Sequence, residues 1–432
     1  MHHGALFIRT SVRGLGLVAL SVTVAGCVAI TTPSPSPSPE APINVVEPSL
    51  PPPDPDSLEP GLGWAAIYDV ELPGDAFRAN PSPTPIGVGG PGLAGHPGHF
   101  PGQAVMADVV AAGERLLAVG YVGDPWTAIA WSSSDGFSWT LETIDAASPS
   151  FAMSVDTSAD GTIVAVGRHG PAAAAWFRLG DTWQRAEVVT DDGDATRMTV
   201  VLATGGGWVG GGSIGPELGD REARFWTSSD GRTWVPSEDG QAMDGAEVVD
   251  ILELDGRLVA LGRLGTGQRG SGTIAWTSDD GRHWERVVDP ELAEGLAVSM
   301  TSLNGAGLVA VGSDLDERAG WVWHSRDGNV WQRVPDEDSR GNRGYKIHLT
   351  DVVGTAGGLV AIGDQVVDQF GFASSWLSED GRTWTKSDGQ PSLGQSEPLS
   401  VVVTDRYLVA VGSRGAPDNR IPTVWLSGIP GE

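Results

Sequence analysis

The chain is short of several things, and each shortage closes a door. Cys27 is its only cysteine, so no internal disulfide can staple the fold. Lys and Arg together number 27 against 55 Asp and Glu, a formal net charge of −28 at pH 7. An acid-rich chain repels phosphate backbones, which argues against nucleic acid as a partner. The apolar run Gly14–Gly26 holds only 13 residues. As a helix it would span roughly 20 Å, too little for a ~30 Å hydrocarbon core. Tyrosines number four, which leaves little room for tyrosine chemistry.

What is present near the N-terminus reads as an address. Arg9 and Arg13 precede the apolar run, the pattern of an export signal over residues 1–26. Its end, Val24-Ala25-Gly26-Cys27, resembles the lipobox of bacterial lipoproteins. That resemblance implies cleavage before Cys27, lipid attachment to Cys27, and an extracytoplasmic protein that meets the membrane only through its lipid anchor. Residues 27–60 follow as a spacer. Thr31–Pro60 is dominated by Ser-Pro alternation and a PPPDPD run, favouring extended polyproline II geometry. Fully extended, this stretch would reach roughly 90 Å.

Beyond the spacer, over residues 61–430, the chain repeats. A short apolar strand ending in glycine recurs seven times, from LLAVG (116–120) through LVALG (258–262) to LVAVG (408–412). A tryptophan follows each copy: Trp131, Trp176, Trp226, Trp276, Trp323, Trp376 and Trp425. A second tryptophan follows in six repeats, at Trp139, Trp183, Trp234, Trp284, Trp331 and Trp384. With a β-branched stretch upstream of each glycine strand, every repeat holds four short strands. Period and strand count predict an all-β, seven-bladed β-propeller of four-stranded blades. The seventh repeat lacks its outermost strand. Gly63–Leu72, with Trp64 at its start, is expected to supply that strand and close the ring.

Five repeats keep W-x-S-x-D-G-x-x-W, with serines Ser133, Ser228, Ser278, Ser325 and Ser378 and aspartates Asp135, Asp230, Asp280, Asp327 and Asp380. A motif needed once per blade is structural, not catalytic. Asp-Gly between strands is a hairpin signal, and Asp and Ser side chains can accept hydrogen bonds from turn amides. The pattern resembles the Asp-box, or BNR repeat, of sialidases, sortilin-type receptors and photosystem II assembly factors. It is one residue shorter between Asp and Gly than that family's S-x-D-x-G-x-T-W. The resemblance implies a turn between the third and fourth strands of each blade, on the face opposite the ligand site.

The expected binding face therefore carries the loops between second and third strands and between blades. Tyr121 and Trp126 fall in one such loop, and Arg340, Arg343 and Tyr345 in another. A sialidase-like exo-glycosidase would need an arginine triad, a tyrosine nucleophile paired with glutamate, and an aspartate. The early Arg-Ile-Pro motif of that family is absent; Arg420-Ile421-Pro422 has its letters at the wrong end. Acidic loops such as Asp191–Asp194 fit no EF-hand spacing, and His96 and His99 lack a third ligand, so no metal or cofactor is expected. The reading is a monomeric, noncatalytic binding or assembly scaffold for a protein or glycan at the cell envelope, with the glycosidase as the alternative.

Overall fold

The computed structural model describes residues 54–67, 70–71 and 104–431, apart from short loop segments at 124–125, 148, 191–194, 217–220, 239–242, 266–269, 304–306, 336–345, 368–369, 388–394 and 416–419. Cys27 and the spacer before residue 54 lie outside the described residues. Strand pairing gives seven antiparallel sheets, one per repeat. In blade 4 the order from the inside outwards is Ala246–Leu254, Arg257–Leu264, Gly272–Ser278 and Glu285–Val287. The protein is a seven-bladed β-propeller. Blade 3 carries one extra short strand, Glu187–Val188, parallel to its outer strand Thr233–Pro236.

The ring closes through the N-terminal segment. Ala65–Ile67 pairs antiparallel with Ile421–Ser427 and completes blade 7, as the missing outer strand predicts. Trp64, beside it, is buried against Val360 and Ile362 of blade 6 and donates from Nε1 to Ser375 Oγ at 3.0 Å. Just upstream, Gly61 N–H donates to Gly428 O at 3.1 Å, and Asp56 pairs with Arg406 at 2.9 Å. Closure removes a long exposed edge, which is the usual hazard of an open sheet.

Both tryptophans of a repeat join blade to blade. The second packs backwards: Trp234 of blade 3 is buried with Val164 and Val166 of blade 2, and Trp139 of blade 1 with Val409 and Val411 of blade 7. The first reaches for the incoming chain. Trp131 Nε1 donates to Glu71 O, Trp226 to Val189 O and Trp323 to Glu291 O, at 2.9 to 3.3 Å. Blade 2 lacks the serine–aspartate turn and shows what that turn does. Its hairpin tightens, pairing Leu179 with Thr182, and Trp183 is only partly buried, turning its Nε1 to Glu142.

The glycine ending each VAVG-like strand has a steric cause. Every inner strand carries a bulge at the same place, for instance between Met106 and Asp108, or Leu349 and Asp351. The bulge drives a carbonyl across the neighbouring strand. A Cβ at Gly120 would lie 1.9 Å from Val105 O, and one at Gly363 1.9 Å from His348 O. No side chain fits there, so the glycine repeats with the bulge.

Directly after the bulge the inner strands present Asp108, Ser154, Val200, Asp250, Ser299, Asp351 and Ser400 to the centre of the ring. These residues pin neighbouring blades together. Asp108 Oδ2 accepts from Val155 N–H of blade 2 at 2.9 Å, and Ser400 of blade 7 donates to its Oδ1 at 2.7 Å. Asp250 accepts from Met300 N–H at 2.6 Å, and Asp351 from Val401 N–H at 2.7 Å. The inner belt thus replaces a missing backbone ladder between blades with side-chain hydrogen bonds.

Candidate functional site

Antiparallel order fixes which loops share a face. Inner strands begin, and second strands end, on the face that also carries the blade-to-blade connections. Turns between third and fourth strands lie on the opposite face. Those turns hold the five serine–aspartate pairs. In blade 3, Gly231 N–H donates to Ser228 Oγ at 2.9 Å, and Asp230 Oδ1 accepts from Arg232 and Thr233 N–H. Trp234 Nε1 closes the turn on Gly231 O at 3.1 Å. The glycine sits at φ +72°, where a side chain would be strained. The same contacts recur around Ser133/Asp135, Ser278/Asp280 and Ser378/Asp380; around Ser325/Asp327 they recur with Asn329 as donor. Hydrogen-bond donors hold these carboxyls below their usual range: for Asp230, Arg232 N–H contributes most, and for Asp280 burial is outweighed by the His283 side chain and the backbone donors behind it.

The opposite face opens into the centre of the ring through a cavity of about 240 Å³. Its inner wall is the bulge residues, among them Ala107, Met153, Val249 and Leu399, with the aspartate–serine belt beside them. Burial pushes Asp351 up to about 6 and Asp250 well above the ordinary carboxylate value. The carboxylates also repel one another across the ring: Asp108 raises Asp351, and Asp351 raises Asp250.

The mouth of the cavity is set by the residue two before each bulge residue and by its strand partner, which follows the VAVG glycine. The chemistry there divides into two sectors. Over blades 3 and 4, Glu247 is almost fully buried among three arginines. Arg197 Nε donates to one carboxylate oxygen, and Arg221 and Arg263 to the other at 2.8 and 2.9 Å. Ser213 Oγ adds a contact at 3.3 Å. Burial alone would raise Glu247, but the charges of Arg197, Arg263 and Arg221 outweigh it and hold the group down at about 2. Three guanidiniums therefore converge on the chain's own carboxylate, not on an open site.

Over blades 6, 7 and 1 the groups are different. Glu397 pairs with Arg420 at 2.7 Å, and His348 Nδ1 lies 3.1 Å from Asp364 Oδ1. Burial opposes protonation of His348, yet the Asp364 hydrogen bond and the charges of Asp364, Glu317 and Glu397 raise it. Tyr121 lines the cavity here, and burial pushes its hydroxyl up. Trp126 does not present a free face: it packs behind Tyr121 with Phe151, ring centroids 5.7–6.3 Å apart. Arg340, Arg343 and Tyr345 lie outside the described residues.

Sequence reasoning missed Arg197, Glu247 and His348, which take part in the buried charge pairs of the mouth. The signal was present: AEVVDIL (246–252) places two charges inside an otherwise apolar strand. Charges at both positions of a strand buried at the centre of a ring need partners.

No protein-family model and no curated protein matches the sequence. Among solved structures, a Dyadobacter fermentans protein of unknown function is similar at 15% identity and TM-score 0.48, covering 77% of this chain and 95% of that one. YCF48 from Cyanidioschyzon merolae is similar at 12% identity and TM-score 0.48, covering 78% and 98%. Trypanosoma rangeli sialidase is similar at 13% identity and TM-score 0.42, covering 74% of this chain and 53% of the sialidase, so the match takes in about half of that protein. The fold assignment rests on the strand pairing; likenesses of this depth carry no argument about chemistry.

Proposed function

We propose that the chain is an exported protein, lipidated at Cys27, whose propeller binds a protein or glycan at the cell envelope without catalysing a reaction on it. Export and lipidation rest on the lipobox-like Val24–Cys27 and the spacer behind it. Binding at the mouth rests on a cavity flanked by charged groups, on the face away from the serine–aspartate turns. The observation that carries the noncatalytic reading is Glu247. Among the described residues it occupies a place where three arginines meet, so a substrate carboxylate would have to displace a buried, triply bonded group there. Tyr121, buried and pushed away from ionisation, is a poor nucleophile.

Photo-crosslinking from the mouth in intact cells tests the reading, with an envelope protein or glycan as the expected capture. Turnover of a fluorogenic sialoside by the purified chain would overturn the noncatalytic part. Cys27→Ser should release the protein from the membrane fraction; retention would overturn the anchor.

A further inference from the structure

Three buried polar atoms at the mouth have no hydrogen-bond partner among the described residues: Arg197 Nη2, whose guanidinium is already paired with Glu247 through Nε, and Ser313 Oγ and His348 Nε2, which share one sector. Ser313 and His348 are 2% and 6% exposed. The repeat sets Ser313 and His348 on neighbouring strands, Leu308–Asp314 and Lys346–Thr355. Ser313 follows the VAVG glycine of blade 5, as Ser213 does in blade 3, and His348 precedes the bulge of blade 6, as Glu247 does in blade 4. Ser213 Oγ reaches Glu247 of the next blade at 3.3 Å. In blades 5 and 6 the equivalent contact is not made, and the hydroxyl and the imidazole nitrogen are each left without a partner. A buried polar group without a partner has lost its hydrogen bonds to water and gained none, so such a pair calls for a third group to satisfy both.

The surroundings select what that group is. Asp364 holds His348 Nδ1, and Glu317 and Glu397 are close enough to act on its charge. Three carboxylates disfavour an anion. Arg420, the nearby guanidinium, is already paired with Glu397. Leu296, the strand partner of Ser313, and Leu349, next to His348, both line the central cavity, which puts the two orphaned groups directly behind its wall. Tyr121 gives that cavity an aromatic wall. A hydroxyl donates to one group and accepts from another, which suits this pair, and carboxylates accept further hydroxyls. On the same face the loop Asp314–Ala319 joins the second and third strands of blade 5, and its Glu317 is 4% exposed and held at φ +56°, a conformation that costs a non-glycine residue energy.

We infer that Ser313 and His348 form a recognition site for a hydroxyl of a neutral saccharide entering the mouth of the propeller. This rests on the proposed noncatalytic binding at that face and names its ligand class.

The test is an array of neutral and acidic oligosaccharides probed with the full chain in detergent, beside Ser313→Ala, His348→Gln and the opposite-face control Ser228→Ala. Binding to neutral saccharides, at least ten-fold weaker in the two mouth variants and unchanged in the control, is expected. Binding confined to acidic saccharides, or undiminished in both mouth variants, would overturn the site. So would a blank array, including one accompanied by a crystal structure with only a water between Ser313 and His348. A blank array together with crosslinking of an envelope protein at the mouth would remove the saccharide and leave the scaffold; failure of both would remove both. Should a mouth variant fail to melt cooperatively, amide exchange in the unaltered chain decides. Protection of residues 308–320 by the bound saccharide supports the site, and its absence overturns it.

Discussion

Asp230 and Asp250 stand in consecutive blades and are pushed in opposite directions. Asp230, at a surface turn, takes two backbone N–H groups and is held below its usual range. Asp250, enclosed at the centre, also takes two, yet loss of water and repulsion from Asp351 and Asp108 raise it well above. The hydrogen bonds are alike; the solvent is not. The turn face repeats one solution five times, whereas the mouth and belt vary from blade to blade. Repetition marks what every blade needs, and variation marks where the ring differs from a mere ring.

The comparison can be broken at several strengths. The largest effect should come from removing what closes the ring. Deleting residues 61–71 strips blade 7 of its outer strand and the Trp64 contact, costing on the order of 5 kcal/mol or more, a large share of an ordinary domain's stability. Denaturant melts that leave the midpoint unmoved would contradict the closure. Next is the mouth: Glu247→Ala leaves Arg197, Arg221 and Arg263 buried without a counter-charge, for a loss of about 3–5 kcal/mol in the same experiment.

The belt and the turns should then separate by pH. Asp351, raised in the folded state, contributes stability that is complete below its unfolded value near 3.8 and fades as pH climbs through about 6. Asp280, lowered in the folded state, contributes stability above its unfolded value that is lost as the medium turns more acid. Melting followed from pH 3 to 7 should find Asp351→Asn flattening the change between about 4 and 6, on the order of 1–3 kcal/mol. Asp280→Asn should flatten only the acid side. Interchanged windows would refute the contrast between the two faces. The smallest effect belongs to a single turn: Ser228→Ala removes the acceptor for Gly231 N–H and should cost about 1 kcal/mol, because four other blades keep theirs.

Much of the architecture was legible because tryptophan and glycine report on geometry directly. The tryptophan period gave the blades, and the absence of a second tryptophan after Trp425 pointed to Trp64 and the closing strand. The reason for the VAVG glycine was hidden, since the bulge opposite it leaves no mark on its own strand. The mouth was harder still. Arg197 and Glu247 are separated by a whole blade in sequence and meet only when the ring places their strands together. His348 and Ser313 share no motif, and their pairing follows from position within the repeat. Tyr121 and Trp126 were visible as loop aromatics, but their inward packing with Phe151 depends on a neighbour from the next blade.

Under the proposed function the mouth, not the turn face, meets the partner. Arg318 lies exposed in the loop over the mouth, and Arg282 lies exposed on the turn face. A photo-crosslinking residue placed at each position in turn, in intact cells, compares the two faces directly. The account predicts an envelope component captured from position 318 and none from position 282; capture from position 282 alone, or equally from both, would contradict it.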